Sequence, residues 1–372
     1  MGALDGRALR FGAPARTPPD WARHPLALVC DPRFPGGTSS WVAAEIRALA
    51  GRVRLSVVAL ETAMFSGRRV HPAIAAAAAD HGLEVRWNPP VVHADTIVVH
   101  NPSCLRFDRG PAVRMSCGQA FVVTLENFLR PNGTEGHDVA NCLDLLEASL
   151  VCGTRALAPV SPHNRSTVED WIAREGRDWP LTPADWFPVF DMVPVPPTPA
   201  PRDRRGRHSR PGLEKFPPLA TMRAHFPEHA ERCAILGGDG YLLDRAAVPG
   251  HWELLRFGEA DVADFLSGID FFVYFTHPNW RESFGRVIAE AIAAGKLVIT
   301  DPGTAAAFGD AVVASDGTDV DRIVAGFVAE PRRYVAFVQA AQQRLAAFRP
   351  AAFAERVRAL IADAIARSHA LV

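Results

Sequence analysis

The sequence predicts an α/β protein built from two Rossmann-like parallel-sheet domains that face each other across a cleft. Three observations predict this. Short apolar runs alternate with amphipathic helical segments along most of the chain, the pattern of strands joined by crossover helices. The alternation is broken once, at 193–201 (VPVPPTPAP), where five of nine residues are proline. Such a stretch holds neither a helix nor a central strand and favours extended linker geometry. Finally, 372 residues suits two domains at roughly 100–200 residues each.

The elements follow in order. Residues 26–30 (LALVC) form the first strand, and the turn 31–37 (DPRFPGG) leads into a helix over 38–50. Trp41, Val42, Glu45, Ile46 and Leu49 share one face of that helix, and Thr38, Ser39 or Ser40 can cap it. Further strands are expected at 55–60, 96–100, 121–125 and 157–160, with helices at 72–81, 139–149 and 164–175. After the proline stretch, strands are expected at 233–236, 253–256, 271–275, 297–300 and 311–313. Helices are expected at 218–226, 261–266, 285–294, 319–328 and 332–348. A last amphipathic helix over 351–368 carries Val357, Leu360, Ile361 and Ile365 on one stripe. The boundaries drawn are a loose extension at 1–22, a first domain at 23–192, a linker at 193–205, a second domain at 206–349 and a terminal helix at 350–372.

Composition excludes several classes. Hydrophobic residues at 48% and charged residues at 22% are ordinary for a globular chain and exclude disorder. A net charge of −1 provides no global basic field, so nucleic acid is not an expected partner. No apolar run approaches the ~20 residues of a membrane span, which leaves at most a peripheral membrane contact. The N-terminus has arginines but no apolar core of a secretory signal. Six cysteines without a CxxC pair read as reduced thiols of a cytoplasmic protein. The dinucleotide fingerprint GxGxxG is absent, which argues against a nicotinamide oxidoreductase.

The most informative stretch is 271–302 (FFVYFTHPNWRESFGRVIAEAIAAGKLVITDP), which reads strand, loop, helix, strand. Glu282 lies at the helix start and Glu290 eight residues on, about 12 Å along a helix axis. That span suits a nucleotide sugar, with one carboxylate on sugar hydroxyls and the other on a ribose diol. Between them, the N–H groups near 283–286 and the helix dipole favour a diphosphate, and Gly285 allows close backbone approach.

Glu282, Phe284, Gly285, Glu290, Ala291, Ala293 and Gly295 match the pattern E-x-FG-x4-EA-x-A-x-G. The segment resembles the donor-domain signature of the retaining glycosyltransferases of family 4, which have the GT-B fold. The resemblance implies that Glu282 holds the donor sugar, Glu290 the ribose, and Ser283, Phe284 and Gly285 the nucleotide sugar. In 206–216 (GRHSRPGLEKF), Arg210 and Lys215 resemble the family's Arg-x4-Lys element, which neutralises the leaving diphosphate. Lys215 is one of only two lysines among 40 basic residues. Gly36 and Gly37 resemble the family's glycine-rich turn facing the donor phosphates. Gly237 in AILGG and Phe257 in ELLRFG look like the segments beside the nucleotide and its base. The terminal helix resembles the one that crosses back to brace the first domain.

One position departs from the family. Where members carry a histidine in a V-T-x-H context, this chain has Glu126, and His100 at the preceding strand end is a candidate substitute. Asn127, Arg130 and Asn132 in the next loop are further candidates to touch sugar or acceptor. The resemblance implies transfer of a sugar from a nucleoside-diphosphate sugar to an unidentified hydroxyl acceptor. It implies a front-face step with no protein nucleophile, no metal and no cofactor. Asp319-Val-Asp321 is assigned to helix capping. Two alternatives use the same fold: a catalytically silent binding or scaffold subunit, and a sugar-phosphate synthase or natural-product coupling enzyme.

Overall fold

A computed structural model of the chain describes residues 24–35, 37–110, 113–242 and 247–370. The expected extension at 1–22, Gly36, and the side chains of Ile361 and Ile365 lie outside what is described. The first half contains β1 (His24–Cys30), α1 (Gly37–Leu49), β2 (Leu55–Ala59), α2 (Pro72–Asp80), β3 (Val85–Trp87), β4 (Val91–His100), β5 (Arg114–Thr124), α3 (Val139–Ser149), β6 (Leu150–Pro159) and α4 (Pro162–Glu175). The second half contains β7 (Arg204–His208), α5 (Leu219–His225), β8 (Arg232–Leu236), α6 (Asp239–Leu242), β9 (Trp252–Leu255), α7 (Val262–Ser267), β10 (Phe271–Tyr274), α8 (Arg286–Ala293), β11 (Leu297–Thr300), α9 (Pro302–Ala305), β12 (Val313–Ala314), α10 (Val320–Ala329) and α11 (Pro331–Arg344). The long α12 (Pro350–Ala370) follows.

Both sheets have six parallel strands. Their orders are β3-β2-β1-β4-β5-β6 and β12-β11-β10-β7-β8-β9. Counted from the first strand of each half, the two orders are the same doubly wound order. Each reverses once, between β1 and β4 and between β7 and β10. At such a switch point neighbouring connections leave in opposite directions, so a crevice opens at the carboxyl ends of the strands. The loops after β7 and β10 therefore line the crevice of the second half.

Every residue of β2, β10 and β11 is buried, as expected for sheets covered on both faces. One apolar cluster runs through both halves, from Leu28 and Val42 to Phe284, Ile288 and Phe348. Helix α12 packs on α1 and on β4 and β5 of the first sheet, burying Phe353, Ala354 and Val357. It thus crosses back as expected. Phe353 meets the indole of Trp186 with ring centroids 5.7 Å apart.

Several elements differ from expectation. The strands β3 and β7 were not expected, and β4, β5 and β6 begin several residues earlier than their apolar ends. The proline-rich stretch and the residues before it are hydrogen-bonded to the second half: Phe190 N donates to Phe348 O at 2.8 Å, and Val195 N donates to Ala293 O at 2.7 Å. The second sheet's first strand begins at Arg204, inside the expected linker. Among the described residues, no helix is long and apolar enough to cross a membrane. The six cysteines are unpaired.

Candidate active site

The second switch point gathers four polar side chains from two loops and two strands. Lys215 ends a short turn at Leu213–Lys215 and places Nζ 2.7 Å from Glu282 Oε1. Tyr274, the last residue of β10, donates its hydroxyl to the same oxygen at 2.6 Å. The other carboxylate oxygen, Oε2, takes no hydrogen bond from the described residues. Burial pushes the Glu282 carboxyl up, but Lys215, the Tyr274 hydroxyl and Arg210 outweigh it and hold the group below the usual carboxylate range. Glu282 is therefore an anion at neutral pH.

Arg207 anchors this arrangement from below. Its side chain is fully buried on β7, with no carboxylate partner among the described residues. The guanidinium donates to Phe275 O at 2.8 Å and to Lys215 O, so it ties the ends of both loops together. It lies 4.3 Å from the ring centroid of Phe216 and 4.9 Å from that of Tyr274. Burial lowers its pKa from the usual arginine value.

Helix α8 begins at this cluster. Its cap is Gly285, at φ 94°, and no side chain caps its first N–H groups. These groups and the helix dipole favour an anion. Glu290 is half-buried on the same helix, 2.8 Å from Arg286 Nε and 3.7 Å from His208 Nε2. His208 is neutral, because burial and then Arg207 lower its pKa to about 4. Arg210 is exposed and pairs with Glu214 at 2.8 Å.

The other expected donor residues divide. Gly237 has φ 86°, and a Cβ there would lie 1.9 Å from Ser209 O. Its glycine is thus explained by close approach of the loop that carries Arg210. Phe257 is 60% exposed, and its backbone N–H donates to Asp239 Oδ2 at 2.9 Å. Phe284 differs from expectation in where its side chain goes. It is buried in an aromatic cluster with Phe190, Phe308 and Phe348 at centroid distances of 5.7, 4.9 and 5.4 Å. Its ring thus holds the main chain between Ser283 and Gly285 in place by packing.

On the first domain, Glu126 reaches the cleft half-buried. Ser103 Oγ donates to its Oε1 at 2.8 Å and Arg106 Nη2 to its Oε2 at 2.8 Å. His137, absent from the expected set, lies with Nδ1 3.9 Å from Glu126 Oε2. Burial lowers its pKa to about 4. Asn127 Nδ2 donates to Arg281 O at 3.0 Å, and Ser161 Oγ donates to Ser283 O. The first domain thus grips the main chain on both sides of Glu282. Gly37 is exposed at the start of α1. Arg130 and Asn132 hydrogen-bond within their own loop, to Gly136 O and from Thr134.

His100 corrects a second expectation. Its side chain is fully buried, with Nε2 2.7 Å from Glu45 Oε2, so it does not open to the cleft. Asp319 corrects a third. It sits at the cap position of α10, but its carboxylate takes Ser315 and Arg322 rather than helix N–H groups. Asp321 pairs with Arg205 at 2.6 Å.

Two doubly wound domains closing on each other at their switch points are the GT-B fold, the architecture of a class of glycosyltransferases. The chain superposes on Anabaena HepE in complex with UDP and glucose with a TM-score of 0.63 at 16% identity, covering 91% of this chain and 100% of that one. WaaG, a glycosyltransferase involved in lipopolysaccharide biosynthesis, gives a TM-score of 0.52 at 13% identity over 90% of this chain and 99% of that one. The E. coli trehalose-6-phosphate structure bound with UDP-2-fluoro glucose gives 0.54 at 12% identity, with 90% and 98% covered. At these identities the likeness is one of fold. No protein-family profile and no curated protein sequence matches the chain.

Proposed function

We propose that the protein is a retaining glycosyltransferase that moves a sugar from a nucleoside-diphosphate sugar to an acceptor hydroxyl. The observation that carries the reading is the Lys215–Glu282 pair at the uncapped start of α8, at the switch point of the second sheet. The folds of HepE and of the E. coli protein, both seen with uridine nucleotides, make UDP the first nucleotide to test.

In this reading the diphosphate rests on the first N–H groups of α8, with Lys215 and Arg210 turning to it from Glu282 and Glu214. Oε2 of Glu282 takes sugar hydroxyls, and Glu290 takes the ribose diol. The acceptor oxygen attacks the anomeric carbon on the face from which the diphosphate departs. The carbon–oxygen bond to the diphosphate breaks, and a departing phosphate oxygen takes the acceptor proton. Configuration is retained without a protein nucleophile. The developing charge falls on Lys215, Arg210 and the helix N-terminus, where fixed dipoles stabilise it without reorganisation. The reading includes turnover without a metal ion, a place among the family 4 enzymes, and a cytoplasmic location.

The test is a thermal-shift series with UDP, GDP, ADP and their sugars in EDTA, on wild type and Glu290→Ala. A ligand that binds only the folded state at 100 times its Kd stabilises by about 2.7 kcal/mol. One nucleotide should raise the melting temperature of wild type and do so less in the variant. A panel without effect overturns the donor-site reading. The second reading, a silent binding subunit, is favoured by the burial of His100 away from the cleft. It predicts binding of the nucleotide sugar with no release of nucleotide in the presence of any acceptor.

A further inference from the structure

Glu282 accepts two hydrogen bonds on one oxygen, from Lys215 and Tyr274, and its other oxygen takes none from the described residues. The two donors are not equivalent. Lys215 is a point charge at the end of a short turn, 5.5 Å from the Trp280 ring centroid, and an arriving diphosphate competes for it. Once it turns away, a largely buried carboxylate loses its counter-ion, which is costly unless another donor stays in place. Tyr274 is that donor. It is 1% exposed, its ring stacks on Phe272 at 5.8 Å, and its carbonyl accepts from Thr300 at 2.7 Å. Burial, and next the Glu282 charge, push its hydroxyl well above the usual tyrosine pKa, so it remains a donor throughout the working range.

We propose that Tyr274 is a positioning residue for the donor sugar: its hydroxyl fixes Oε1 of Glu282 and so presents Oε2 to the sugar after Lys215 has gone to the diphosphate. The inference rests on the donor-site reading above and deepens it. The groups that set the Glu282 charge are Lys215 and Arg210 from the loop after β7, Arg207 from β7 itself, and Tyr274 from β10. Of these, Tyr274 alone touches the carboxylate from a position locked by packing. A tyrosine that only filled the core would leave donor selectivity unchanged when its hydroxyl is removed.

The experiment is calorimetric titration of wild type, Tyr274→Phe, Glu282→Gln and the double variant with UDP and with UDP-glucose, in EDTA, at pH 7.5. Phenylalanine keeps the ring packing, and equal melting temperatures confirm that the fold is retained. UDP should bind the variant within about twofold of wild type, because UDP lacks the sugar. The advantage of UDP-glucose over UDP should fall about tenfold, the loss expected for one hydrogen bond to a charged group. In a Glu282→Gln background, Tyr274→Phe should not reduce that advantage further, because the oxygen that Tyr274 fixes is then no longer a carboxylate's. Unchanged selectivity in Tyr274→Phe overturns the proposal, as does additive loss in the double variant. Equal binding of UDP and UDP-glucose by wild type also overturns it and leaves the nucleotide site standing. Failure of wild type to bind any nucleotide overturns the donor-site reading and, with it, the proposal.

Discussion

Single residues carry constraints that their local sequence shows only in part. Gly237 is the sharpest case. With φ 86° and the Ser209 carbonyl 1.9 Å from where a Cβ would sit, alanine must displace backbone rather than a flexible side chain. Gly237→Ala should cost about 2 kcal/mol or more by urea denaturation and weaken nucleotide binding through the Arg210 loop. A wild-type urea midpoint would remove the role assigned to this glycine. Glu45 is a second case. Fully buried, it accepts the indole N–H of Trp41 at 2.9 Å and of Trp186 at 2.8 Å, beside His100. Glu45→Leu leaves these donors unpaired in the core and should destabilise by about 3 kcal/mol, measured the same way. The sequence places Glu45 on the apolar face of its helix beside Trp41, but two of its three partners, His100 and Trp186, lie 55 and 141 positions away, so the reason for a carboxyl group there is not local. Glu282 and Glu290 could be placed at one helix start because they lie on one continuous segment. Their partners were not legible. Tyr274 reads as one more apolar strand residue, and Lys215 meets Glu282 across 67 positions.

At the scale of elements, apolar pattern decided what could be seen. The strands β1, β2, β10 and β11 are short apolar runs and were legible almost to the residue. The strand β7 reads RRGRH, and no apolar pattern announces it. It is nevertheless largely buried, because each arginine finds partners from other elements. Arg204 pairs with Asp270 at 2.8 Å, Arg205 with Asp203 and Asp321 at 2.7 and 2.6 Å, and Arg207 bonds to carbonyls. A buried charge is tolerated when paired or hydrogen-bonded, or, as for Arg207 whose Nε takes no partner among the described residues, also held against aromatic rings, and such partners are a property of tertiary structure. In the proline-rich stretch the sequence predicts extended linker geometry but not what the segment packs on: Val195 is hydrogen-bonded to the end of α8, and Gln342 Nε2 reaches its carbonyl at 2.7 Å. Helix α12 supplies this scale's prediction. Phe353 is 2% exposed and faces Trp186, so Phe353→Ala opens a cavity between the crossing helix and the first domain. It should cost about 3 kcal/mol and change tryptophan emission before it affects nucleotide binding. An unaltered urea midpoint would show that α12 does not brace the first domain.

For the whole molecule, buried histidines in both halves couple stability to pH. His137 in the first half and His208 and His225 in the second each have a pKa lowered from 6.5 to about 4, in every case chiefly by burial. Above pH 6.5 these rings are neutral whether the chain is folded or unfolded, so their contribution to stability is fully present. Between 6.5 and about 4 the unfolded chain binds protons that the folded chain refuses, and stability falls by about 1.4 kcal/mol per pH unit for each ring. Glu282, whose carboxyl is held below its usual range, adds a loss of the same sign at more acid pH. Asp108, raised by burial, opposes it. Urea denaturation at pH 7.5, 6 and 5 should therefore give a steadily falling stability, and His225→Gln should reduce the slope by one ring's share. Two domains can unfold separately. Here one apolar cluster passes from β1 and α1 through Phe284 and Phe348 into the second half, and α12 ties the two together. The acid-weakened protein should accordingly lose both halves in one transition, with tryptophan emission, dominated by the first half, and far-ultraviolet dichroism, reporting on both halves, coinciding at each pH. Separate midpoints, or a flat profile between pH 7 and 5, would show that the halves share less core than the packing of Phe284 implies, or that the imidazoles are hydrated in the native state.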